Sequence, residues 1–386
     1  MYLIEGLRSC HLRVSGSDEF TCSLKVMVNA VIAQAKGCLS LSSIHCRIAP
    51  FTDANSMAAH AEIKAEEFFR AGEKALTKFS LFSSSSKYED ASDYFEKAAN
   101  QYKIAKKCTE SRHTSIVSHD TLLFPGQESG EAFAKCADCQ MRMKENSRAA
   151  QYYQQAAEAI SKANPIGNKT PASPVCSLCC VHVFHAHVDA VTYYRTAISM
   201  QCDAGRFSNA AKLQKQIAEI YEQAGQMQEA LENYSQAADY FIGENQPSSA
   251  QPMLLKVAQF SAELERYPAA IEIYEKVAKT SMESNLLKYN AKSHLLNAGI
   301  CAMSSKDIVL VKQKIDEFND IDYTFPDSRE GKFLTAMANA YESFDPDGFA
   351  DAVYEFDTIT KLDPWKVSLL LKVKQSIEVD THDDLT

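Results

Sequence analysis

The sequence predicts an all-α fold, an α-solenoid of antiparallel helix pairs followed by a C-terminal helical bundle. Three observations predict it. A small-residue motif recurs at helical spacing from residue 57 onward, its anchors return at a near-constant interval, and Gly- or Pro-bearing turns fall between them. In each copy a small residue is followed three or four positions later by an aromatic or large apolar residue, and near position seven by another small one. Positions i, i+3/i+4 and i+7 share one face of a helix. Small residues let two helices approach closely, and the larger side chain fills the groove next door.

The copies run in order as ASDYFEKAA from Ala91, AQYYQQAA from Ala150, AVTYYRTA from Ala190, ALENYSQAA from Ala230, AQPMLLKVA from Ala250, AIEIYEKVA from Ala270 and AKSHLLNA from Ala291. AKLQKQIA from Ala211 fits more loosely. From Ala190 the anchors recur every 19–21 residues, so each unit is one helix plus a short turn and two units make a pair of about 40 residues. That period places the chain in the tetratricopeptide-like class. The turns DAGRF (203–207), QAGQM (223–227) and GENQPSS (243–249) agree with it. No such unit buries its apolar face alone; stacked neighbours do. Past residue 300 the pattern loosens into longer units broken at FPDS (325–328), DPDG (345–348) and LDPW (362–365), which reads as the bundle. The predicted organisation is an extension at 1–56, a solenoid at 57–290, and a bundle with an acidic tail at 291–386.

Two stretches interrupt the rhythm. Residues 111–127 (SRHTSIVSHDTLLFPGQ) are polar and aperiodic, and 166–187 (IGNKTPASPVCSLCCVHVFHAH) read as an insertion into a turn. The extension is Ser-rich, has no sustained period and lacks the basic-then-apolar order of a signal peptide.

Composition narrows the function. With 46% hydrophobic and 23% charged residues the chain is an ordinary globular one, and its net charge of −10 argues against general nucleic-acid binding. No apolar run reaches the ~20 residues of a bilayer span. The twelve cysteines are unevenly scattered rather than spaced as a disulfide framework, which reads as mostly free thiols in a reducing compartment. No GxxxxGK[ST] loop, serine elbow or His-Glu-x-x-His motif is present, so no enzyme activity is expected. Cys136 and Cys139 share a face of a predicted helix, and the core reading is favoured because free Cys behaves as a small hydrophobe. Cys176, Cys179, His182 and His185 offer four zinc-type ligands. They are crammed into a segment that leaves no room for the scaffold of roughly 12 residues a finger requires, so no cofactor is expected. In KFSLFSSSSK (78–87), Phe79, Leu81 and Phe82 precede four serines. The two readings of these residues are weak attachment to a membrane and folding back to cap the first helices.

Several stretches together resemble the soluble NSF attachment proteins of the alpha/beta type: GRFSNAAK (205–212), AIEIYEKVA (270–278), LLKYNAK (286–292), FPDSREGKF (325–333), LDPWKVSLLLKVK (362–374) and the terminal DDLT (383–386). They fall in family order over roughly 57–110, 128–165 and 188–386. The resemblance implies an adaptor. It would bind the SNARE four-helix bundle (syntaxin-type and related), recruit the hexameric ATPase NSF and stimulate it to take spent complexes apart. Its place would be the cytoplasm, peripheral on vesicle, Golgi and other trafficking membranes. The resemblance also assigns roles. Phe79, Leu81 and Phe82 become the membrane-attachment loop. Lys106, Lys162, Arg206, Lys212, Lys256 and Lys292 become the basic residues that meet the acidic SNARE bundle. Asp307, Glu342, Asp383, Asp384 and the penultimate Leu385 become the contacts to NSF. Three positions depart from the family pattern: Pro252 stands where a SNARE-contacting lysine is typical, and Asn339 and Ser343 stand where acids are. The alternatives are a tetratricopeptide co-chaperone that binds acidic peptide tails, and a zinc-binding module centred on 176–187.

Overall fold

The computed structural model describes residues 53–78, 84–110, 125–163, 177–284 and 287–383, and the secondary structure among them is helical throughout. The helices are α1 (Asp53–Thr77), α2 (Ser84–Glu110), α3 (Pro125–Arg142), α4 (Asn146–Ala163), α5 (Ser177–Asp203), α6 (Phe207–Gln223), α7 (Met227–Gly243), α8 (Pro247–Glu263), α9 (Tyr267–Glu283), α10 (Lys288–Ser304), α11 (Ile308–Ile321), α12 (Arg329–Glu342), α13 (Pro346–Ile359) and α14 (Pro364–Asp383).

The sequence anchors are where the helices touch. Ala91, Ala150, Ala190, Ala211, Ala230, Ala250, Ala270 and Ala291 are all 0–2% exposed. The large residues that follow them, Phe95, Tyr194, Tyr234, Tyr274 and Leu295, are buried as well. From α2 to α10 each helix packs on the next. The buried clusters step along the chain with this packing: one spans α3 to α6, the next α6 to α8.

The turns explain the constant interval. Gly205, Gly225, Asn245 and Glu265 all hold positive φ, between 53° and 72°, twenty residues apart. In each case the following N–H reaches back across the helix end: Arg206 to Gln201 O at 2.8 Å, Gln226 to Tyr221 O at 2.9 Å, Gln246 to Phe241 O at 2.9 Å and Arg266 to Ser261 O at 2.8 Å. This is the Schellman closure, which reverses the chain within three residues. Glycine takes the left-handed conformation without strain, whereas Asn245 and Glu265 carry a cost of order 1 kcal/mol that the surrounding packing offsets.

Helices two apart also meet, and these contacts define layers. Tyr152 on α4 donates to Glu96 on α2 (2.9 Å), Arg206 at the start of α6 to Ser147 on α4 (2.6 Å), and Lys256 on α8 to Glu222 on α6 (2.6 Å). The other layer is tied by Lys135 on α3 with Glu73 on α1 (2.8 Å) and Arg266 before α9 with Gln228 on α7 (2.8 Å).

Beyond α9 the order changes. α10 packs on α11, α12 and α14, and α14 reaches back to α8. One buried cluster runs from Ala258 to Ile377 and includes Phe318, Phe325, Phe333, Phe349 and Phe356. Three of these helices, α11, α12 and α13, start on side-chain caps. Asp307 accepts from Val309 N and Leu310 N, Ser328 from Gly331 N, and Asp345 from Gly348 N, at 2.9–3.1 Å.

The interruptions are shorter than their sequence suggested. α5 begins at Ser177, so residues 177–187 continue the helix of the Ala190 unit instead of sitting in a turn, and α3 already starts at Pro125. The reason is that 177–203 contains neither Gly nor Pro; the breakers Pro171 and Pro174 lie before it. The loss of the small-residue motif leaves helix propensity intact.

Candidate functional site

All six basic residues singled out in the sequence fall on alternate helices or at their first turn: Lys106 on α2, Lys162 on α4, Arg206 and Lys212 at α6, Lys256 on α8 and Lys292 on α10. Helical spacing alone did not show this, because it says nothing about which layer a helix joins. Their local environments differ. Lys106 and Lys162 line a cavity of about 450 Å³ between α2, α3 and α4, together with Lys103, Gln155 and Glu158. Lys103 lies 4.1 Å from the centre of the Phe133 ring, and Lys162 pairs with Glu158 at 3.4 Å. Lys103 sits one turn from Lys106, a spacing that would have marked it in the sequence. Arg206 is held by Ser147, and Lys256 by Glu222. Lys212 and Lys292 have no ion-pair partner among the described residues, Lys212 exposed and Lys292 half-buried. Pro252 is exposed inside α8 and carries no charge.

At the other end of the chain, Asp307 stands at the start of α11 and Glu342 at the end of α12. Tyr341 Oη donates to Lys306 O at 3.4 Å, and Lys312 pairs with Glu342 at 2.5 Å, which sets the end of α12 against the start of α11. Asp307 is also the N-cap of α11, so its carboxylate does structural work whatever else it meets. Asn339 accepts from Ser343 Oγ through its carbonyl at 2.8 Å, closing the last turn of α12.

Cys136 and Cys139 lie in the buried cluster between α1, α2 and α3. Cys136 Sγ is 3.1 Å from Ser92 Oγ. Burial pushes the Cys136 thiol up to about 12 and that of Cys139 up to about 11, so both are protonated packing groups. Phe79, Leu81 and Phe82, Asp384 and Leu385, Cys176, and the side chains of Cys179, His182, His185 and Asp383 lie outside the described residues.

The family model described as soluble NSF attachment protein, SNAP, matches residues 63–116, 125–172 and 177–378. The chain belongs to the soluble NSF attachment protein family. An alpha-soluble NSF attachment protein of Vitis vinifera is 36% identical over 325 residues, covering 84% of this chain and 98% of its own. The alpha-soluble NSF attachment protein of Mus musculus is 33% identical over 304 residues, 78% of this chain and 89% of its own. A Schizosaccharomyces pombe protein named as a probable vesicular-fusion protein sec17 homolog is 30% identical over 309 residues, 80% of this chain and 93% of its own. The match enters both interruptions, stopping at Ile116 and Ala172 and resuming at 125 and Ser177, so the helical residues 177–187 have counterparts in the family model.

Proposed function

We propose that this chain is the SNARE–NSF adaptor that its family membership indicates: it binds assembled SNARE four-helix bundles, recruits the ATPase NSF and stimulates it to disassemble them. The single observation that carries this is the family match, which extends across the helical repeat and most of the C-terminal helices. The geometry supports it. We read the basic residues on every second helix as one row that attracts and orients an acidic helical bundle, in a chain whose net charge is −10. Asp307 and Glu342 on the C-terminal helices are the carboxylates we assign to a partner with basic residues. Phe79, Leu81 and Phe82 supply a weak peripheral membrane contact. Among the described residues no helix is long and apolar enough to cross a membrane. The protein works in the cytoplasm on trafficking membranes, contributes no catalysis of its own, and leaves ATP hydrolysis to NSF.

The test is ATP-dependent disassembly of a SNARE complex by NSF with the full chain added. Wild type is expected to support disassembly. Leu385→Ala is expected to keep SNARE binding and lose stimulation. Lys212→Ala combined with Lys292→Ala is expected to weaken SNARE binding several-fold. Disassembly with Leu385→Ala as fast as wild type would refute the role given to the tail.

A further inference from the structure

One carboxylate joins three consecutive helices. Glu222, near the end of α6, accepts a hydrogen bond from Lys256 Nζ on α8 at 2.6 Å through Oε1, and one from Tyr234 Oη on α7 at 2.6 Å through Oε2. The hydroxyl and the ammonium thus take one carboxylate oxygen each. The ring of Tyr234 stacks on Phe260 at 6.0 Å, and the Lys256 ammonium lies 5.8 Å from that Phe260 ring. The side chains of Lys256 and Glu222 are 37% and 32% exposed, so the pair is open to an incoming group. Two other basic residues of the row are held differently: Lys162 pairs within α4, and Arg206 bonds the neutral Ser147. With Pro252 uncharged, Lys256 is the one lysine that α8 contributes.

We propose that Glu222 is a positioning residue acting through Lys256, an internal competitor that holds the ammonium until an acidic partner surface displaces it. This rests on the reading of the basic row as the SNARE-binding face. A partner carboxylate arriving at α8 exchanges one ion pair for another. Glu222, released, keeps the Tyr234 hydroxyl and gains water, because it is a third exposed; the exchange is therefore close to balanced. The consequence is selectivity. A partner that sets a carboxylate at this point recovers the lost pair, and one that does not leaves Lys256 on Glu222 and gains nothing from it.

Glu222→Gln separates the charge from the contact, since the amide oxygen still accepts from Tyr234. In a binding titration of the full chain against a soluble SNARE four-helix bundle, Glu222→Gln is expected to bind about 2- to 5-fold more tightly, the range of a partly exposed ion pair. Its affinity is also expected to fall more steeply with salt, because one further positive charge is available to the partner. Lys256→Met is expected to bind more weakly than wild type. Adding Glu222→Gln to Lys256→Met is expected to change nothing more, as befits a residue that works only through Lys256. Unaltered thermal melting of each variant separates this from a folding defect. Wild-type binding with Glu222→Gln unchanged or weaker overturns the proposal, and so does a gain that persists in the Lys256→Met background. Wild type failing to bind the bundle at all removes the functional reading itself, and the proposal with it.

Discussion

From α5 to α8 each helix sets buried alanines beside two or three larger buried side chains, and each buried cluster spans only three or four helices. From α10 to α14 the large side chains meet each other. Phe318 lies edge-on to Phe325 with centroids 5.8 Å apart, and Phe333 stacks on Phe356 at 4.3 Å, within one cluster that extends from α8 to α14. The two regions start their helices differently as well. Arg206, Gln226, Gln246 and Arg266 occupy N-cap positions without any side-chain cap, as does Leu287 before α10, while Asp307, Ser328 and Asp345 before α11, α12 and α13 all cap. A repeat can leave its helix starts to the turn and the stacked neighbour. A helix in a non-sequential bundle has no fixed neighbour to guide its entry and specifies its start locally.

The largest expected effect tests how far a defect travels. Phe318→Ala and Tyr234→Ala each remove a fully buried ring and are expected to cost about 3–5 kcal/mol. Hydrogen exchange resolved by helix distinguishes them. Phe318→Ala is expected to raise exchange throughout α8–α14 together, and Tyr234→Ala only in α6–α8. If Tyr234→Ala opened the whole chain as one unit, the distinction between stepwise and shared cores would fail.

The ends of the chain should also respond to pH with opposite sign. Near the N-terminal end Glu128 on α3 is half-buried, and burial, followed by the charges of Glu62 and Glu66 on α1 and of Glu131 on α3, pushes its carboxyl up to about 7. Its Oε2 has no hydrogen-bond partner. On the same two helices Arg70 pairs with Glu66, and Lys135 with Glu73 and Glu131. The folded chain binds this proton more tightly than the unfolded one, so stability here falls as pH rises from about 4.5 to about 7. Near the C-terminal end His294 on α10 is 8% exposed and its Nδ1 has no partner. Burial, aided by the Lys366 ammonium on α14, holds its pKa below the usual 6.5, so stability here falls as pH drops below 6.5. Trp365, the only tryptophan, stacks on Tyr274 at 6.3 Å beside this seam and reports it directly. Its emission is expected to shift on acidification in wild type and to stay put in His294→Asn. Exchange in α1 is expected to rise toward pH 8, after correction for intrinsic rate, and to lose that rise in Glu128→Gln. A common pH response at both ends would show that these two groups do not set it.

Much of the repeat was legible because its determinants are local. The alanine anchors, the following aromatics and the Gly turns are spaced by the helix itself, and all landed where the period put them. Residues 177–187 were misjudged because the reading equated the motif with the helix. The Glu222–Lys256 pair was invisible because its partners lie 34 residues apart on helices that only the stacked fold brings together. Which layer the basic residues share was hidden for the same reason.

Asp307 was legible in two ways, and the resemblance drew attention to only one. An Asp before the apolar run IVLV is an N-cap signal, and its carboxylate does accept from Val309 N at 3.0 Å and Leu310 N at 3.1 Å. The same residue is expected to meet NSF. Two substitutions separate the roles. Asp307→Ala removes the cap and is expected to cost about 1 kcal/mol, whereas Arg266→Ala, at an N-cap of the repeat that makes no side-chain cap bond, should not weaken its helix start. Asp307→Asn keeps the cap, because asparagine serves that position equally well, and removes only the charge. Thermal melting is therefore expected to drop for Asp307→Ala and hold for Asp307→Asn, while NSF-driven SNARE disassembly slows in both. If Asp307→Asn retained full disassembly activity, the carboxylate would belong to the helix start alone, and the contrast in capping between repeat and bundle would account for its presence without any partner.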